Sequence, residues 1–156
     1  MSPIDSALDT LAAAAAARRL TVDLVERGPA SSLEEAAALL GIGAHNLVKS
    51  MLVRSKDGYL FALVPGDRQI AWPKLRAVVG VNKLVLPPAD EAYEACGYER
   101  GTVTPVGARG DWPVYVDERV QGERIALGSG THTHSLLVET DDLVRAYEAT
   151  VADISK

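Results

Sequence analysis

An α+β fold with a mixed, largely antiparallel sheet is the class this sequence predicts, on three observations. Helix-like and strand-like segments are interspersed along 156 residues without the regular strand–helix–strand alternation of a parallel sheet. Lys56-Asp57-Gly58 separates two β-rich runs, and an Asp-Gly pair there marks an antiparallel hairpin. A composition of 47% apolar and 24% charged residues suits a globular chain of a length that one core can serve. We therefore expect residues 1–156 to form a single domain, opened by a helix within residues 1–19.

The elements follow in order. Asp5 to Arg19 is alanine-dense and free of internal Gly and Pro, which predicts a helix. Leu20 to Glu26 is rich in Val and Leu and is ended by Gly28-Pro29, so it reads as a strand. Ser32-Leu33-Glu34-Glu35 is a capping box leading into Ala36 to Leu40, and Gly41 and Gly43 stop that helix. Val48 to Arg54 and Tyr59 to Val64 are the hairpin strands, and Pro65-Gly66-Asp67 is the next turn. Pro73 to Val79 is a helix with proline in its first turn, Lys83 to Leu86 a short strand, and Pro88 to Cys96 a helix. After a glycine-rich stretch, Gly97 to Gly110, come three strands, Val114 to Asp117, Arg124 to Leu127 and Ser135 to Glu139. Asp141 to Thr150 closes the chain as a helix.

Composition excludes several classes. The longest apolar run, Leu11 to Ala17, is seven residues, far below the roughly 20 that span a bilayer. No basic-then-apolar leader opens the sequence, so we expect a cytoplasmic protein and no membrane partner. One cysteine, Cys96, excludes an internal disulfide and a multi-cysteine zinc site; it reads as a buried structural thiol. The net charge of -5 argues against a basic nucleic-acid coat, yet residues 49–83 carry seven Lys/Arg against Asp57 and Asp67. That stretch is either a face for a phosphate backbone or a set of solvated surfaces.

Three segments are candidates for chemistry. In Val48-Lys49-Ser50-Met51-Leu52-Val53 the alternation of a strand puts Lys49, Met51 and Val53 on one side. A lysine facing a core is costly unless it serves a pocket; the plain alternative is an amine snorkelling to water. The second segment, Gly97 to Gly107, holds Gly101, Thr104, Pro105 and Gly107. Its glycines let backbone approach a ligand, and its alternative is an ordinary turn. It is neither a phosphate loop followed by Gly-Lys-Ser/Thr nor a dinucleotide fingerprint, so no cofactor is expected. The third, Gly128-Ser129-Gly130-Thr131-His132-Thr133-His134, could present amides to an oxyanion or form a tight hairpin turn. Ser129 lacks a nucleophile elbow. His132 and His134, two apart in a strand, could share a metal, but a hydrogen-bonded pair is the simpler reading and no metal is assigned.

The order of these segments carries a resemblance. Val48-Lys49-Ser50-Met51-Leu52-Val53 is followed by Val64-Pro65-Gly66-Asp67-Arg68, a Lys74-Leu75 helix, and Gly97-Tyr98-x-x-Gly101-x-Val103-x-Pro105-x-Gly107. Then come Pro113-Val114-Tyr115-Val116-Asp117, Gly128-Ser129-Gly130 and an Asp141-Asp142-Leu143 helix. Over about residues 20 to 147 this resembles the YbaK/ProX family of aminoacyl-tRNA deacylases, similar to the editing domain of bacterial prolyl-tRNA synthetases. The resemblance implies a strongly bent, partly barrel-like sheet. It also implies hydrolysis of the ester that joins a wrong amino acid to the 3′ end of a tRNA, with the mischarged tRNA as partner and room for a synthetase beside it. The family's lysine falls on Lys49, its glycine-proline loop on Gly101 to Gly107, and its small-residue turn on Gly128, Ser129 and Gly130. A family histidine falls on His132 or His134. Members that edit alanine on proline tRNA often have Lys-Asn where this chain has Lys49-Ser50, so the resemblance does not fix the amino acid: alanine, serine, threonine, cysteine and non-protein amino acids stay open.

The expected chemistry is attack by a bound water without covalent attachment. Lys49 would hold a phosphate, ribose or carbonyl oxygen, or act as a base if desolvated. Amides at Gly101 and in Gly128-Ser129-Gly130 would stabilise the oxyanion. Ser50, Met51, Thr104, Pro105, Gly107 and His132 would contact substrate, with Met51, Val53, Leu63 and Val106 as pocket walls. The rivals are a module that binds charged tRNA, an amino acid or a nucleotide without cleavage, and a metal hydrolase built on the two histidines.

Overall fold

A computed structural model describes residues 2–156. In chain order its elements are α1 (Pro3–Ala17), β1 (Asp23–Glu26), α2 (Leu33–Leu40), β2 (Lys49–Ser55), β3 (Gly58–Val64), α3 (Trp72–Val79) and α4 (Ala89–Cys96). Then follow β4 (Val114–Asp117), β5 (Arg124–Leu127), β6 (His134–Glu139), α5 (Thr140–Tyr147) and β7 (Thr150–Ala152). Short 3-10 turns lie at Ala44–Asn46 and Glu118–Val120.

Local chemistry accounts for most of these boundaries. Ser2 caps α1 by accepting from the Asp5 amide at 3.1 Å, and Pro3 pre-sets the first turn. Ser32 caps α2 through the Glu35 amide at 3.0 Å. The return arm of the capping box is displaced by one residue, because the Glu35 carboxylate accepts from the amide and hydroxyl of Ser31. Gly41 ends α2 in the left-handed region at φ 71°, which costs a glycine nothing.

The hairpin forms as expected, β2 pairing antiparallel with β3 from Lys49–Val64 to Ser55–Gly58. The sheets are mixed. The order β2-β3-β4-β7 has parallel pairs at β3–β4 and β4–β7, and the order β1-β6-β5 is antiparallel throughout. A parallel bridge between Leu47 and Ala126, with the Val48 amide donating to Ala126 O at 2.9 Å, joins the two sheets along one side. The result is a bent, open sheet that curls partway toward a barrel.

The β3 run Leu60 to Val64 is buried on both faces, and its two faces serve two cores. Phe61 and Leu63 pack with Val48, Leu52, Val116, Ile125, Leu127, Leu136 and Leu143 between the sheets, where Leu11 and Ala15 of α1 close the cluster. Leu60, Ala62 and Val64 pack with Val53, Ile70, Leu75 and Ile154 beneath α3. Truncating one of these fully buried leucines to alanine costs about 2–5 kcal/mol.

Three sequence expectations differ from the structure. Only Asp23–Glu26 of the Leu20 to Glu26 run is strand. Lys83 to Leu86 makes a single bridge, Val85 to Arg54, because Pro87 and Pro88 withhold the next donors. The last helix ends at Tyr147, with Glu148 at φ 50°, and the chain turns into β7, which runs parallel to β4.

Candidate functional site

A cleft of about 680 Å³ opens where α2 and the segment before it, the start of β2, and the loops after α4 and β5 face one another. Its apolar wall comes from Leu33, Ala36, Leu47, Val48, Leu52 and Leu127. Its polar lining includes Arg27, Lys49, Ser50, Arg100, His132 and Ser135, beside Gly101 and Gly128. Three glycine-region and strand predictions therefore meet in one place: Lys49, Ser50 and Met51 from β2, Gly101 from the second segment, and Gly128 and His132 from the third.

Lys49 is half-buried at the head of β2, on the face that Met51 and Val53 share toward the second core. Its cost is met locally, because the ammonium donates to the backbone carbonyl of Arg68 in the turn after β3. Ser50 lies on the opposite face; β2 is the edge strand of its sheet, and residues from both of its faces line the cleft. Its hydroxyl is withdrawn from solvent and has no hydrogen-bond partner among the described residues. A buried hydroxyl without a partner is an orphan at the cleft's margin, which a bound molecule could satisfy if the margin opens to it.

The two glycine-rich segments lie against each other, for a reason the sequence reading did not foresee. A Cβ on Gly128 would stand 2.5 Å from the carbonyl oxygens of Thr102 and Val103, and one on Gly130 would stand 2.7 Å from the Tyr98 ring. One on Gly107 would meet the Tyr98 hydroxyl at 2.8 Å. Tyr98 itself donates to Val106 O at 2.6 Å, and burial pushes its phenol well above the ordinary range. The glycines are thus packing residues first. Gly101 differs, with φ at 89° and open space around the missing Cβ. The amides of Gly101 and Gly128 donate to no group among the described residues, whereas that of Gly130 donates to Thr102 O at 2.9 Å.

Several predicted site residues lie elsewhere. Ser129 is fully buried, its hydroxyl donating to His134 O at 2.8 Å and bonding to Thr131 Oγ1 at 3.0 Å. Thr104 is fully buried and accepts from the Val106 amide at 3.2 Å. Pro105 and Gly107 border a separate hollow of about 120 Å³ beside Ala14, Arg18 and Tyr147. Of the expected walls, Met51 borders the cleft, while Val53, Leu63 and Val106 are wholly buried in the two cores. The two histidines diverge. His132 Nε2 meets Glu99 at 2.9 Å in the open, and His134 Nδ1 meets the Thr133 hydroxyl at 2.9 Å with Glu26 beyond. Cys96 is buried, and burial pushes its thiol up.

Sequence reasoning missed Arg27, Arg100 and the α2 wall. Arg27 donates through Nε to Ser135 Oγ at 2.9 Å and through its terminal nitrogen to His132 O at 3.0 Å, and burial lowers its guanidinium pKa. The signal was a lone arginine between a short strand and Gly28-Pro29, which reads as a strand end. Several cations of the basic run 49–83 are engaged by the protein itself, while Lys56 and Lys83 are exposed at the surface. Arg54 pairs with Glu91 at 2.7 Å, Lys74 with Asp153 at 2.9 Å, and Arg68 binds Ser155. Among the described residues no helix is long and apolar enough to cross a membrane.

A bent mixed sheet with a lysine and two glycine segments around one cleft defines a class, and the comparisons agree with it. Residues 27–146 match the aminoacyl-tRNA editing domain, and the chain belongs to that family. The proline–tRNA ligase of Bacillus velezensis is 31% identical over 120 residues, 74% of this chain and 21% of the ligase. That of Thermosipho africanus is 35% identical over 88 residues, 56% of this chain and 16% of the ligase. The chain thus spans about a fifth of the length of these curated relatives. The crystal structure of a candidate trans-editing enzyme for prolyl tRNA synthetase superposes with a TM-score of 0.87 at 28% identity, covering 100% of this chain and 99% of that one.

Proposed function

We propose that residues 1–156 act as one unit that hydrolyses the ester of a mischarged tRNA, with the 3′ end of that tRNA seated in the cleft. The observation that carries this reading is the meeting of Lys49, the unpaired Ser50 hydroxyl and the free amides of Gly101 and Gly128 around one cleft. Its volume suits a terminal aminoacyl-nucleoside. Arg27 and Arg100 supply positive charge for the phosphodiester, and the aliphatic wall takes the amino-acid side chain.

Water attacks the ester carbonyl carbon, and the bond to the ribose oxygen breaks. One proton of the water ends on the ribose oxygen, the other passes to solvent, and the amino acid leaves as its carboxylate. Lys49, tethered at Arg68, offers its remaining N–H donors to a substrate oxygen. The amides of Gly101 and Gly128 are the candidates for the oxyanion, and each such donor is worth about 3 kcal/mol in the transition state. Gly130 drops out, since its amide is already bonded. Ser50 contacts the substrate amine or side chain.

The test is release of amino acid from a panel of mischarged tRNAs. We expect turnover on at least one, and a loss of about 10²-fold or more in Lys49→Ala with its melting temperature unchanged. Tight tRNA binding with no release across the panel identifies a binding module instead.

A further inference from the structure

We propose that residues 153–156 brace the Lys49 ammonium through Arg68, making Arg68 and Ser155 positioning residues for the reaction; this rests on the role given to Lys49 above. A lysine has four rotatable bonds and three donor hydrogens. An acceptor that fixes one hydrogen aims the other two, provided the acceptor itself is fixed. Here the acceptor is the Arg68 carbonyl, in a surface turn of the kind that ordinarily moves.

This turn is tied down by the end of the chain. Gln69 and Lys156 exchange both backbone hydrogen bonds, at 3.1 and 2.9 Å, and the Ala71 amide donates to Ile154 O at 2.9 Å. The Arg68 guanidinium donates to Ser155 Oγ at 2.7 Å and to Ser155 O at 3.2 Å. Ser155 is fully buried, and its carbonyl also accepts from Lys74 at 3.1 Å. Behind it, the buried carboxylate of Asp117 accepts from the amides of Arg119 and Ile154 at 2.9 and 3.1 Å. Arg119 reaches on to Asp153 at 2.7 Å. Three cationic side chains, two carboxylates and a short backbone ladder thus hold one carbonyl. The segment that supplies the outer half of this lattice begins past residue 146, where the family match ends.

The brace acts on geometry and leaves the charge of Lys49 alone, so its removal lowers turnover more than binding. The experiment uses the full chain with Arg68→Ala, Ser155→Ala and Arg68→Lys. Two readouts are taken: deacylation of the best substrate, and the side-chain NMR signal of Lys49 in protein carrying 13C-labelled lysine, assigned by its absence in Lys49→Ala. We expect kcat to fall about tenfold in both alanine variants with KM within about twofold, and the Lys49 signal to shift toward that of a free lysine. Arg68→Lys, which can still donate to one acceptor on Ser155, should recover part of both. An unmoved Lys49 signal in both alanine variants overturns the brace, as does an equal fall in Arg68→Lys. The NMR readout needs no substrate. If the unaltered protein releases no amino acid from any tRNA, the deacylase reading fails while the signal still decides the brace.

Discussion

The loop pair 97–110 and 128–134 has two ends built from the same residue type to different purposes. At the cleft end, Gly101 and Gly128 keep free amides. At the other end, Gly107 and Gly130 are pressed against Tyr98, and the Gly130 amide is spent on Thr102. Gly128 does both jobs, because its missing side chain also admits the carbonyls of Thr102 and Val103. Glycine-rich sequence is thus not one signal: part of it leaves donors open for a ligand, and part lets two loops touch.

Alanine substitutions sharpen that contrast. Gly128→Ala is expected to be the most damaging, about 3 kcal/mol in urea unfolding, because the new Cβ meets backbone oxygens at 2.5 Å that no rotamer change can clear. Gly130→Ala should cost about 2 kcal/mol, combining φ at 80° with a ring that can partly shift. Gly101→Ala meets open space and only the strain of φ at 89°, about 1 kcal/mol. If Gly101→Ala proves as destabilising as Gly128→Ala, the division between the two ends is lost.

The smallest effect expected is acid sensitivity of the brace. Hydrogen bonds from Arg119 and then Lys74 hold the Asp153 carboxyl down at about 2. Burial pushes Asp117 up, but hydrogen bonds from the Arg119 amide, Ser155, the Ile154 amide and the Arg119 side chain outweigh it and leave it lowered. Both carboxyls sit below their unfolded values. Their stabilisation is therefore complete above about pH 4 and is lost as pH falls toward 2. Melting curves of the unaltered protein and Asp153→Asn should stay apart at pH 5 to 8 and draw together as pH falls from about 4 to about 2. A gap as wide at pH 2 as at pH 7 would contradict this assignment.

Much of the fold was legible because it is local. Val114–Asp117 and Arg124–Leu127 have the bounds expected from their short β-rich runs, and the Asp57-Gly58 hairpin pairs residue for residue. What was illegible is non-local. β7 is three residues that become strand only by pairing with β4, and the two cores on either side of β3 cannot be told apart by a period of two. That ambiguity put Val53 and Leu63 on the wrong wall, and Val106, in the loop after α4, is buried by the packing of that loop into the first core. At the site, Lys49 and the small-residue segments were visible as types. The burial of Ser129 and Thr104, and the arrival of Arg27 from the far end of β1, depend on contacts across more than a hundred residues for Arg27 and on the loop pairing for the others.

The helix α1 has a practical consequence for anyone preparing this protein. It lies wholly before residue 27, yet Leu11 and Ala15 plug the interior between the sheets, and Arg18 lies 4.1 Å over the Tyr147 ring. A fragment trimmed to the matched residues would bare that apolar floor at one end and untie residues 69–71 at the other. Such a fragment should clump more readily than residues 1–156, and an inactive preparation of it would not bear on the deacylase proposal.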